Sequence, residues 1–90
     1  MAKIVIKVRS EEVREVLNKV REIFPYWRLH YTARGSRIVN VKIILDEEAE
    51  VRIESGRRVK VKDILKERGL TIKDVFEKIR NLGLPVELEE

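Results

Sequence analysis

Residues 26–62 read Y-W-R-L-H-Y-T-A-R-G-S-R-I-V-N-V-K-I-I-L-D-E-E-A-E-V-R-I-E-S-G-R-R-V-K-V-K, and this stretch decides the fold. Apolar and polar residues alternate through most of it, the pattern of strands that bury one face and hydrate the other. Gly35, the acidic run Asp46-Glu47-Glu48 and Gly56 interrupt the alternation. Taken as turns, they divide the stretch into four antiparallel strands of a meander, roughly 26–34, 37–45, 49–54 and 57–62.

The turns also predict a register. A three-residue loop Ala33-Arg34-Gly35, with glycine in the left-handed position of a G1 bulge, opposes Leu29 to Val39 and Trp27 to Val41. It likewise opposes His30 to Ile38, Arg28 to Asn40 and Tyr26 to Lys42. A two-residue Gly35-Ser36 turn would set Trp27 against Ile44 and Arg28 against Ile43, mixing the faces. A one-residue slip flips every side chain, so the three-residue loop is preferred. A turn at Asp46–Glu48 then pairs Ile43 with Val51 and Val41 with Ile53. A loop Glu54-Ser55-Gly56 pairs Val51 with Val59 and Glu50 with Lys60. The expected apolar face holds Trp27, Leu29, Val39, Val41, Ile43, Val51, Ile53, Val59 and Val61.

Working outward, Lys3–Arg9 alternates Ile4, Ile6 and Val8 with mostly basic residues and predicts a strand. Ser10 is placed to cap a helix with Glu11 and Glu12 at the positive end of its dipole. Val13, Val16, Leu17, Val20, Ile23 and Phe24 form the apolar stripe of that helix, and Pro25 ends it. After the meander, Asp63 is placed to cap a short helix over Ile64–Arg68 that stops at Gly69. Thr71 caps another, with Ile72, Val75, Phe76, Ile79 and Leu82 on one face and Gly83 at its end. Val86 and Leu88 alternate in a short final strand. The expectation is one α+β domain over residues 1–90, with one sheet and its helices on one face.

Composition narrows the function classes. The chain has 90 residues, a formal net charge of +4, and no cysteine, which excludes disulfides and thiol chemistry. No secretory leader or membrane-length apolar run is visible, so a cytoplasmic protein is the default expectation. Charged residues make up 40% of the chain and glutamine is absent, a balance that suits either a thermophilic protein or a designed one.

A catalytic site is not expected. His30 is the only histidine and falls on the polar side of a strand, and no second histidine or any cysteine completes a metal site. The Asp46-Glu47-Glu48 run lacks the glycine and alternating ligands of a calcium loop. No cofactor or metal is expected, and neither Gly35 nor Gly56 belongs to a phosphate-binding loop.

The charges fall in blocks. Residues 25–45 carry Arg28, Arg34, Arg37 and Lys42 and no acid. Residues 46–56 are acidic apart from Arg52, and residues 57–62 are basic again. The predicted register aligns Tyr26, Lys42, Arg52 and Arg58 in one row of the open face, beside Arg28 and the hairpin-tip Arg34 and Arg37. Aromatic rings that stack on bases and cations that meet phosphates make up such a face in binders of RNA or single-stranded DNA. The expected nucleic-acid contacts are therefore Tyr26, Arg28, Arg34, Arg37, Lys42, Arg52 and Arg58. An ordinary solvated sheet face also alternates charges, and Glu50 and Glu54 can pair with Lys60 and Arg58.

Val59–Val86 reads V-K-V-K-D-I-L-K-E-R-G-L-T-I-K-D-V-F-E-K-I-R-N-L-G-L-P-V. It resembles the small N-terminal module of bacterial translation initiation factor two: a valine-rich strand, a short leucine-lysine-glutamate helix, a glycine turn and a second helix. The resemblance implies an accessory module associated with RNA or the ribosome, and it marks no active residue. The alternatives are a protein-interaction module, a homo-oligomer formed through an edge strand with Ile38 and Ile44 in a dry interface, or a designed scaffold without evolved function.

Overall fold

The structure is a computed structural model, and it describes residues 2–90. Strand β1 (Lys3–Arg9) leads through a 3-10 turn at Ser10–Glu12 into helix α1 (Val13–Ile23). Strands β2 (Arg28–Arg34), β3 (Arg37–Asp46), β4 (Glu50–Arg52) and β5 (Arg58–Lys60) follow. Helices α2 (Val61–Glu67) and α3 (Ile72–Asn81) precede the last strand, β6 (Val86–Glu89). The α+β class and the order of elements are those expected. No helix among the described residues is long and apolar enough to cross a membrane.

The sheet differs from a meander. Its four strands run β2-β3-β1-β6, all antiparallel neighbours, while β4 and β5 form a separate two-stranded sheet. Strand β3 turns its second edge to β1 instead of β4, so Ile43 faces Ile6 and Val41 faces Val8. The expected pairs Ile43–Val51 and Val41–Ile53 do not form. The physical reason is length and pattern. Strand β1 offers a seven-residue partner whose Ile4, Ile6 and Val8 line up with Leu45, Ile43 and Val41. The three residues of β4 offer far less ladder and far less apolar area.

The β2–β3 turn also corrects the sequence reading. Arg34 faces Arg37 across a two-residue Gly35-Ser36 turn. Gly35 has φ 62° and Ser36 has no positive φ, as a type II′ turn requires. The faces are not mixed, because a bulge intervenes: Ala33 faces Ile38 but Thr32 faces Asn40, leaving Val39 as the extra residue. Beyond it Leu29 faces Ile43, Tyr31 faces Val41, His30 faces Lys42 and Arg28 faces Ile44. Leu29, Val41 and Ile43 keep the side expected of them, but every predicted partner is displaced. The β4–β5 hairpin has the expected register, with Val51 opposite Val59, Glu50 opposite Lys60 and Gly56 at φ 86°.

Helices α1 and α3 cover one face of the large sheet. Ile4, Ile6, Val20, Phe24, Ile43, Val75 and Ile79 are fully buried there. Each such side chain contributes about 1.5–3 kcal/mol by leaving water. Phe24 is extended, with φ −155° and ψ 133°, as the residue before Pro25 must be. Thr71 caps α3 in a capping box with Asp74. Two expected caps do not form. The Ser10 hydroxyl donates to the Glu11 carboxylate, 3.3 Å away. Helix α2 begins at Val61, three residues ahead of the start that an Asp63 cap would set, and Lys60 at its N-cap makes no side-chain capping bond.

The β3–β4 turn is tied to the start of α2. Lys62 N–H donates to the Glu47 carbonyl and Val61 N–H to that of Ala49, each at 2.9 Å. The Glu48 carboxylate accepts from Lys60 Nζ at 3.0 Å and from Lys62 Nζ at 3.1 Å. These two hydrogen bonds, Lys60's first, hold the Glu48 carboxyl below the usual carboxylate range. Because the folded value is depressed, the contribution is complete above the unfolded value and is lost as pH falls through the folded one. Glu48→Gln is expected to lower the denaturation midpoint at neutral pH. It should also flatten the acid limb of the stability profile between those two values. Chemical unfolding at a series of pH values checks both, and parallel acid limbs would show that the bridge is silent.

Candidate nucleic-acid interface

Strands alternate their side chains, so the face opposite Ile4, Ile6 and Val8 follows from the register. It carries Lys3, Val5, Lys7 and Arg9 from β1, Asn40, Lys42, Ile44 and, at its end, Asp46 from β3, and Arg28, His30, Thr32 and Arg34 from β2. Arg37 joins it opposite Arg34 at the hairpin turn. Its Lys7, Arg9, Arg28, His30, Arg34 and Lys42 are exposed. Its one deeply buried residue is Val5, 3% exposed yet outside the continuous core. Val5 lies between Ile44 and Glu87 on the neighbouring strands.

The electrostatics of this face are unusual for a stabilised sheet. Lys7 stands directly opposite Lys42, and Arg34 directly opposite Arg37. Like charges in facing positions oppose folding. The acids lie away from these pairs, Asp46 opposite Lys3 at the end of β3 and Glu87 and Glu89 at the far edge, on β6. Lys7 reaches Glu87 at 4.0 Å and Lys3 reaches Glu89 at 3.8 Å, both in exposed positions where screening leaves little net gain. Among the described residues Arg9, Arg28, Arg34, Arg37 and Lys42 make no ion pair.

The structure brings together Arg28, Arg34, Arg37 and Lys42 of the expected contacts. It separates the others. Arg52 and Arg58 face each other on the β4–β5 hairpin, in a different sheet, so the expected row with Lys42 does not exist. Tyr26 precedes β2 and does not face Lys42; it is half-buried, edge-on to Phe24 with centroids 5.7 Å apart. Lys60 pairs with Glu48 instead of Glu50, and neither Glu50 nor Glu54 has an ion pair among the described residues.

Lys7 and Arg9 were not among the expected contacts. Their signal is the run Ile4-Val5-Ile6, whose middle residue breaks strict alternation as in a strand buried on both faces. A central β1 puts Lys7 and Arg9 beside Lys42 and Asn40. Tyr31 and Ile38 lie on the helix side of the sheet, yet they are 52% and 45% exposed because the hairpin extends past the helices.

Where Arg28 and Ile44 end the basic face, a cleft of about 380 Å³ opens toward β4. Tyr26, Trp27, Asp46 and Glu50 are among the residues that line it. The Trp27 indole N–H donates to the Phe24 carbonyl, which holds the ring in place. Among the described residues no three His, Cys, Asp or Glu side chains cluster as metal ligands. No family model matches the chain, and comparison with curated proteins and with solved structures finds no match.

Relieving the facing cations should stabilise the fold. Lys42→Gln removes the repulsion with Lys7 and is expected to raise the unfolding free energy by about 0.2–1 kcal/mol. Urea denaturation at low salt measures this, and the gain should shrink as salt is added.

Proposed function

We propose that this protein is a non-catalytic, cytoplasmic module that binds single-stranded nucleic acid, RNA ahead of DNA, on the open face of its large sheet. The observation that carries this reading is the opposition of Lys7 to Lys42 and of Arg34 to Arg37 on a face from which β2 and β3 supply no acid before Asp46. A polyanion laid across the strands would turn that repulsion into binding energy by releasing its own counterions. Arg28, Arg34, Arg37 and Lys42 would meet phosphates, joined by Lys7 and Arg9, with His30 in their midst. Tyr26 and Trp27, at the end of the face, are the aromatic groups nearest to this path that line an open cleft. The resemblance of residues 59–86 to a ribosome-associated module supports the same choice from the other end of the chain.

Self-assembly through β2 has one observation in its favour, the seven-residue edge strand with Tyr31 and Ile38 exposed beside it. Two β2 strands paired antiparallel about Tyr31 would set Arg28 of one copy against Arg34 of the other. Charge therefore disfavours the symmetric dimer.

Fluorescence anisotropy of labelled single-stranded RNA, single-stranded DNA and duplex DNA tests the proposal at several salt concentrations. Affinity for single strands is expected to fall steeply with salt. In Arg28→Ala/Arg37→Ala/Lys42→Ala the log–log slope should lose about 2, since each phosphate contact on a single strand contributes about 0.7. Arg52→Ala/Arg58→Ala, off this face, should leave the slope near that of the parent. Equal slopes in the two variants would remove the open face as the site.

A further inference from the structure

We propose that the cleft at the end of the basic face accepts one unpaired guanine of the bound strand, a specificity that rests on the nucleic-acid reading above. The cleft volume, about 380 Å³, lies at the small end of the roughly 300–1,000 Å³ typical of ligand sites. Its position makes it continuous with the phosphate path. Arg28 belongs to both, since it lines the cleft and stands on the outer face opposite Ile44.

The lining selects among bases by donors and acceptors. Trp27 spends its only donor on the Phe24 carbonyl, so it presents a fixed ring for stacking and no hydrogen-bonding group. What remains is one guanidinium, Arg28, the Tyr26 hydroxyl, which can donate or accept and so does not discriminate, and two carboxylates, Asp46 and Glu50. Asp46 already accepts the Glu48 N–H through Oδ1, at 2.9 Å. Glu50 is exposed, and the ammonium opposite it, Lys60, is committed to Glu48. Its carboxylate is thus an acceptor pair without a donor among the described side chains. Guanine is the base that presents two adjacent donors, N1–H and the N2 amino group, on its pairing edge. Its other edge offers O6 and N7, the acceptor pair that arginine takes in bidentate fashion. Uracil has a single N–H between two carbonyls that a carboxylate repels, and cytosine and adenine each place an amino group beside an acceptor nitrogen. A carboxylate and an arginine lining one cleft with an aromatic ring therefore suit guanine's two edges.

The sole tryptophan makes the cleft observable, because Trp27 emission reports its occupancy. A ten-nucleotide oligouridine and the same strand with one central guanine, adenine, cytosine or inosine are titrated while Trp27 fluorescence and the anisotropy of a label are followed. The guanine strand is expected to bind about ten-fold tighter than oligouridine and to quench Trp27. Inosine, which lacks the N2 amino group, should lose most of that advantage. Glu50→Gln should bring the guanine-to-uracil ratio close to one without weakening oligouridine. Equal affinity for all five strands with unchanged Trp27 emission would overturn the guanine site while leaving the basic face standing. Absence of binding by every strand would end both readings. Quenching by free guanosine monophosphate as strong as by the strand would replace the proposal with a nucleotide site.

Discussion

The pairing of β1 between β3 and β6 is the contact on which the rest of the molecule depends. Ile4, Ile6 and Val8 face the helices from the middle of the sheet, and their neighbours across the ladder are Leu45, Ile43, Val41, Leu88 and Val86. Removing this strand would leave β6 unpaired and expose one edge of β3, and it would take the floor from under α1 and α3. It also sets the other side of the sheet. A strand packed between two neighbours must show its alternate residues somewhere, and those residues are Lys3, Val5, Lys7 and Arg9. The core and the basic face are two sides of one placement.

That shared origin explains why the surface is in tension with stability. Lys7 and Lys42 cannot avoid each other once Ile6 meets Ile43 and Val8 meets Val41, because the ladder carries its polar residues along with its apolar ones. Moving the register would separate the cations only by turning the apolar set toward water, at a much greater cost than the repulsion. A neutral or acidic residue at either position would remove the problem. Both positions instead hold lysine, a local conflict that the proposed binding role would account for.

Local signals in the sequence were legible and distant ones were not. The helical stripes of α1 and α3, the Thr71 cap, the Pro25 stop and the Gly56 hairpin depend on neighbours a few residues away, and they stand in the structure except for Leu82, which falls just past α3 and is exposed. Ser10 and Asp63 had the right chemistry for caps, but the chain entered its helices by a 3-10 turn in one case and three residues early in the other. The choice of partner for β3 is a competition between two strands far apart in sequence, which alternation cannot arbitrate. The β2–β3 register turned on one bulged residue, Val39, which let a two-residue turn coexist with unmixed faces. On the candidate site, composition located Arg28, Arg34, Arg37 and Lys42. Arg52 and Arg58 were misplaced because they were assigned through the strand pairing that did not form.

The position of β1 in the chain has a kinetic consequence. Lys3 stands beside Asp46 on one side and Glu89 on the other, so β1 pairs with two strands that both follow it at a distance in the chain. Loop-closure entropy must be met before either pairing returns any free energy. The two hairpins and the helices close short loops and can form early, whereas the central ladder raises the contact order and slows the committing step. During synthesis Ile4, Ile6 and Val8 therefore wait for β3, and the second edge of β1 waits longer still, for β6. The charges at Lys3, Lys7 and Arg9 keep that waiting segment from pairing with its own kind. The cations of the open face would thus serve the nascent chain before they serve any ligand.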